Sequence, residues 1–129
     1  MQAKEIVASY FDALAKGDTE KVLSYFTPET KWSQPGDNKF SGLKNGPDEI
    51  FQMIGGMMSD TSGTMAVRIN GSLMESGSLV AVPVWFTGNK ETKNIDMGGI
   101  DLFELKDGKI VHIWTFSDDQ DDENEFWGK

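Results

Sequence analysis

The chain has 129 residues, 38% hydrophobic and 26% charged, a composition that suits a single domain over residues 1–129 with a core of its own. A net charge of −9, with Arg68 the sole arginine, argues against a nucleic-acid partner, because phosphate recognition needs clustered cations. The absence of cysteine excludes disulfides and thiolate metal sites, and no apolar run reaches the length of a membrane span, so the chain is expected in the cytoplasm with no membrane partner.

In chain order, Ile6, Val7, Tyr10, Phe11 and Leu14 recur at helical spacing and predict a helix over residues 3–16. That start is amphipathic and carries Glu5 and Asp12, unlike a secretory leader. Gly17 is placed to stop the helix and Asp18 to cap a second one running from Thr19 to Phe26, ended by Thr27-Pro28. Residues 30–34 read as a short strand and 35–46 as a loop. Pro47 with Asp48 and Glu49 opens a third helix over 47–58. Gly55-Gly56 inside it either weakens the helix or admits a close backbone approach.

From Gly63 the pattern changes to period two. Strands are predicted over 64–75, 79–87, 92–105 and 109–117, forming an antiparallel meander. Asp107-Gly108 is the strongest hairpin turn signal, since both central residues of such a turn need positive φ. Gly98-Gly99 suggests a bulge or bend. Residues 118–127 read as a short helix or cap strand. The acids from Asp118 to Glu125 are expected as a solvated tail, because SDDQDDENE lacks the glycine and ligand spacing of a calcium loop. Helices followed by strands give an α+β fold: a strongly curved, mostly antiparallel sheet packed by three helices of the N-terminal half, enclosing an apolar cone suited to a small molecule.

Asp101 stands out. It sits among Ile100, Leu102, Phe103 and Leu105, where a carboxylate is costly unless partnered or protonated. It is either a functional acid or a structural carboxylate satisfied by backbone near Gly98-Gly99. Trp32 and Gln34, two apart on a strand, share a face and are candidates to stack on and orient a ligand. The alternative for them is a core tryptophan and a loop-edge amide. Met53 and Met57 offer an adaptable apolar wall. No His, Asp and Glu cluster has metal-ligand spacing and no glycine-rich phosphate loop follows a strand, so neither metal nor cofactor is expected.

The strings SYFDALAKGDTEKVLSYFTPET, SQPGDNKFSGLKNGPDEIF and IDLFELKDGKIVHIW, in this order, resemble the nuclear transport factor 2-like superfamily, in particular its SnoaL-like polyketide cyclase and ketosteroid isomerase-like branches. The resemblance implies a cystatin-like α+β barrel. Ketosteroid isomerases use a tyrosine and a neutral aspartic acid as an oxyanion hole, with a second aspartate as base. Tyr10 and Asp101 match the oxyanion pair. The base falls at Gln34, whose amide cannot accept a proton, and a further tyrosine falls at Ile54. SnoaL-like cyclases place an acid/base in the cone, a role open to Asp101. Phe103, Ile113 and Thr115 are implied as cone-facing residues, while His112, Trp114 and Phe116 face outward onto a homodimer interface.

The leading expectation is therefore a cavity for a hydrophobic, carbonyl-bearing small molecule, with cofactor-free proton transfer of the isomerase, cyclase or dehydratase type. Asp101 and Tyr10 would be catalytic, and Gln34, Trp32, Met53, Met57, Phe103, Ile113 and Thr115 would contact substrate. A non-catalytic binding module and a dimeric interaction domain with a filled cone are the alternatives.

Overall fold

In the computed structural model, which describes residues 1–129, three of the four helices and two strands lie in the N-terminal half, and the remaining strands of a single sheet dominate the rest. Helix α1 (Ala3–Lys16) buries Ile6, Val7, Tyr10, Phe11 and Ala13 on one face. It stops at Gly17, whose φ of 68° is the left-handed cap that a side chain would oppose. Asp18 caps α2 (Thr19–Ser24), accepting a hydrogen bond from the Lys21 amide at 3.2 Å. The second helix is shorter than expected. Phe26 already opens strand β1 (Phe26–Gln34), and the Ile110 amide reaches back to the Tyr25 carbonyl at 2.7 Å. Pro28 lies in a stretch where the pairing register shifts, between Phe26 and Lys31. Buried Thr30 bridges this irregularity by donating to the Ile110 carbonyl at 2.7 Å and accepting from the Thr27 amide at 2.8 Å.

The expected loop over 35–46 ends in a strand, β2 (Gly42–Asn45), antiparallel to β1. Helix α3 (Gly46–Asp60) follows, with Pro47 in its first turn. Its two central glycines differ in purpose. A Cβ on Gly56 would meet the Phe40 ring at 2.8 Å, so a close approach needs that glycine, whereas Gly55 faces open space.

The expected strand over 64–75 is two strands, β3 (Ala66–Ile69) and β4 (Met74–Ser76), both paired with β5 (Leu79–Asn89). Between them the chain turns at Gly71, φ 149°, over the ring of Pro83. Strands β6 (Asn94–Lys106) and β7 (Lys109–Ser117) complete the meander. Asp107 and Gly108 form the expected hairpin turn, with φ of 52° and 78°. The sheet order is β2-β1-β7-β6-β5-β3, with only the β1–β7 contact parallel. Gly98 and Gly99 pair with β5 without a register shift. The irregularity falls instead opposite Glu104–Leu105, where β7 carries an extra residue at Val111. Gly99 is required for another reason: a Cβ there would lie 2.2 Å from the Phe116 carbonyl oxygen of β7.

The acidic C-terminal segment is not a solvated tail. Asp119 caps a fourth helix, α4 (Gln120–Trp127), by accepting from the Asp122 amide at 3.1 Å. Phe126 and Trp127 are buried in a cluster with Met53, Met57, Phe86, Ile95 and Met97. Asn124 accepts from the Asp37 amide at 2.9 Å and Lys90 Nζ donates to the Phe126 carbonyl at 2.6 Å, tying α4 to the body. Burial explains the difference: the helix turns Asp121, Asp122 and Glu125 outward and buries Glu123, Phe126 and Trp127 against the body. The architecture is α+β, with four helices and a seven-stranded, mostly antiparallel sheet. No helix is long and apolar enough to cross a membrane.

Candidate functional site

The concave side of the sheet holds a cavity of about 800 Å³. Apolar side chains dominate its wall. Trp32 comes from β1, Ile54 and Met57 from α3, and Phe86 from β5. Alternation along the strands delivers the polar groups: Gln34 from β1, Asp101 from β6, and Thr115 and Ser117 from β7 all point to the same side. The pairing of Asp101 with Thr115 across β6–β7 fixes these two opposite one another. Exposed Lys16 and Asp18, in the α1–α2 turn, contribute at its edge.

Asp101 is only 8% exposed. Burial, first, and the negative charge of Glu123, second, push its carboxyl up from an ordinary 3.8 to about 7. No hydrogen bond stabilising the charged form offsets these causes. The acid is thus poised to exist in both protonation states near neutrality.

The sequence-predicted residues divide into two groups. Asp101, Gln34, Trp32, Met57 and Thr115 meet at the cavity wall. Tyr10, Met53, Phe103 and Ile113 lie behind it. Tyr10 is enclosed by the rings of Phe11, Phe26 and Phe103, at centroid distances of 5.3, 5.9 and 5.4 Å. Burial, and then the charge of Asp101, raise its phenol above the ordinary range. Phe103 and Ile113 are fully enclosed in the main core, and Met53 packs toward α4. The reason is packing: Tyr10 and Phe11 of α1 lie directly against Phe103 and fill that part of the interior, whereas the open volume lies between the C-terminal end of α1, α3 and the sheet.

Gln34 is less free than expected. Its Oε1 accepts from Trp32 Nε1 at 2.9 Å and Thr115 Oγ1 at 3.4 Å, and its Nε2 donates to Glu123 Oε2 at 3.4 Å. Glu123 is the residue missed from the sequence. It is 4% exposed and lines the cavity from α4. Trp127 Nε1 donates to its Oε2 at 3.2 Å, Gln120 Nε2 to its Oε1 at 3.1 Å, and Ser117 Oγ also donates to Oε1. One signal was available. Glu123, Phe126 and Trp127 share a helical face, so the two aromatics that bury α4 bring that glutamate inward with them.

On the opposite side of the sheet, His112 stacks on Trp114 at 3.7 Å with rings 4° from parallel, and its Nε2 lies 2.9 Å from Ser33 Oγ. Burial holds the imidazole below its ordinary 6.5. Phe116 is 52% and Ile100 36% exposed, side by side across β6–β7.

Solved structures share this fold over nearly their whole length. A protein of unknown function with a cystatin-like fold from Xanthomonas campestris is 36% identical, with both chains fully covered and a TM-score of 0.94. Bal32a, from a soil-derived mobile gene cassette, is 25% identical over 97% of this chain and 95% of its own, with a TM-score of 0.91. IdmH of Streptomyces antibioticus, a candidate polyketide cyclase, shares the fold at 18% identity and a TM-score of 0.74, covering 92% of this chain and 93% of its own. The SnoaL-like domain model matches residues 7–113, and the chain belongs to the SnoaL-like family.

Proposed function

We propose that the chain binds an apolar, carbonyl-bearing small molecule in the cavity and catalyses a cofactor-free proton transfer of the isomerase or cyclase type, with Asp101 as acid/base. The carrying observation is a buried carboxyl with no hydrogen-bond partner, at about 7, on the wall of a largely apolar cavity, while the other buried carboxyl there, Glu123, is fully engaged by protein donors. As carboxylate, Asp101 takes a proton from the carbon beside the carbonyl. As carboxylic acid it returns that proton to another atom of the same molecule, so no cofactor is consumed. Trp32 offers a flat ring face to the ligand, Met57 and Phe86 supply apolar contact, and Thr115 flanks Asp101. The resemblance in fold to a candidate polyketide cyclase supports the same class of substrate.

The test is a ligand-bound crystal structure together with native mass spectrometry of freshly purified protein. An aromatic or polyketide-like molecule in the cavity, its carbonyl oxygen within hydrogen-bond distance of Asp101, is the expected result. A cavity that stays closed to every neutral ketone tried would refute the reading. The engagement of both ends of Gln34 by protein groups favours a second reading, a binding module without turnover. Full activity loss in Asp101→Asn with retained ligand binding would decide for the enzyme.

The outer sheet face is proposed as a homodimer interface through His112, Trp114 and Phe116. Exposed Phe116 beside Ile100 supports it, since an apolar patch of this kind is stabilised by cover.

A further inference from the structure

We infer that Glu123 is a positioning residue of this site: a negative charge, delivered by α4, that adds to burial in favouring the neutral carboxylic acid form of Asp101 and disfavours anionic ligands in the cavity. The inference rests on the proposed binding site but not on turnover.

The geometry is specific. An ionised carboxylate is acceptor-only, with about four lone-pair positions. Ser117, Gln120, Trp127 and Gln34 direct four donors at Glu123, two to each oxygen. All its acceptor capacity is therefore taken by protein. Glu123 is not free to take a proton from a substrate, yet its charge remains inside the cavity wall. Asp101 has the opposite arrangement: burial without a counter-charge. The strand partners of Asp101, Val82 and Thr115, are neutral, the titratable groups that feel its charge or act on it are Tyr10 of α1 and Glu123 of α4, and the cavity wall contributed by β1 and α3 carries no charge. Lys16, the one cation at the cavity, is exposed at its edge and paired with Asp12 at 2.9 Å. A second buried negative charge is thus opposed by Glu123 with nothing to offset it.

Two consequences follow from that field. Asp101 presents a hydrogen-bond donor to a ligand carbonyl up to near-neutral pH. An anionic ligand meets Glu123 in a low-dielectric interior, where like charges repel strongly.

The experiment measures the carboxyl titration of Asp101 by carbon-13 NMR, assigned by its absence in Asp101→Asn, in the wild type, Glu123→Gln and Glu123→Asp. Binding of the neutral aromatic ketone prodan and of anionic naphthoate is measured in parallel. In the wild type, Asp101 titrates near neutrality and prodan binds in preference to naphthoate. Glu123→Gln is expected to lower the Asp101 midpoint by about one pH unit, equivalent to a tenfold change in its acidity, and to raise naphthoate affinity. Glu123→Asp, which keeps the charge, retains the wild-type midpoint. If Glu123→Gln fails to fold, the double variant Ser117→Ala/Glu123→Met removes the charge and one of its donors together. An unchanged midpoint in the folded charge-free variant overturns the role of Glu123 while leaving the binding site intact. A wild type that binds neither probe, with Asp101 titrating near 4, overturns the proposed site itself.

Discussion

Replacing Asp101 by asparagine should change the pH dependence of stability in a defined direction. The folded carboxyl sits at about 7 against an ordinary 3.8. Between those values the folded chain binds a proton that the unfolded chain has already released. Stability from this group is therefore fully present below about pH 4, falls as pH rises toward 7, and is level above it. At 1.36 kcal/mol per pH unit, the wild type loses about 4 kcal/mol across that window through this residue alone. Asparagine is uncharged and nearly isosteric, so the variant does not carry this loss. Urea unfolding of both proteins at half-unit pH steps from 4 to 8, compared as a difference, cancels the titration of groups common to both. The difference should move by about 4 kcal/mol in favour of Asp101→Asn, with most of the change complete by pH 7. Parallel stability curves would refute the reasoning, since they would mean that Asp101 is ionised in the folded protein at no cost.

Gly99→Ala should destabilise by roughly 2–4 kcal/mol or prevent folding, because its Cβ would strike the Phe116 backbone and neither strand can yield cheaply. Gly55→Ala, in open space on α3, should instead stabilise by up to about 1 kcal/mol, and denaturant midpoints measure both. Asp119→Ala removes the α4 cap and should cost about 1 kcal/mol, with faster hydrogen exchange confined to residues 120–127. Phe116→Asp should shift the sedimentation coefficient from dimer to monomer at micromolar concentration with the fold intact. An unchanged coefficient would remove the outer sheet face as the interface.

Helix α1, the capped Gly17-Asp18 break, the Asp107-Gly108 turn and the inward alternation of β5 and β7 all depend on neighbours in the chain, and each was legible from residue spacing. Boundaries set by distant partners were not. Phe26 leaves its helix because the β7 backbone draws residues 25–34 into a parallel pairing. Residues 42–45 become a strand because β1 offers them an edge. The strand over 64–75 breaks where Gly71 passes over Pro83.

The site divides along the same line. Asp101 was visible because an acid in an apolar strand violates the local pattern, alternation put Trp32 and Gln34 on one face of their strand, and the family resemblance implied that these two and Thr115 face the cavity. Glu123 was hidden because it stands in a run of acids where one more carries no local signal. Sequence alone thus determined the fold class and the anomalous acid, both of which are encoded by short-range patterning. Only the tertiary structure decided that Tyr10 and Phe11 of α1 pack with Phe103 and Ile113 into a solid core, and that α4 folds back to bring a second carboxylate to the same cavity wall. Burial and the pairing of charges depend on which distant surfaces meet, and no local pattern records that.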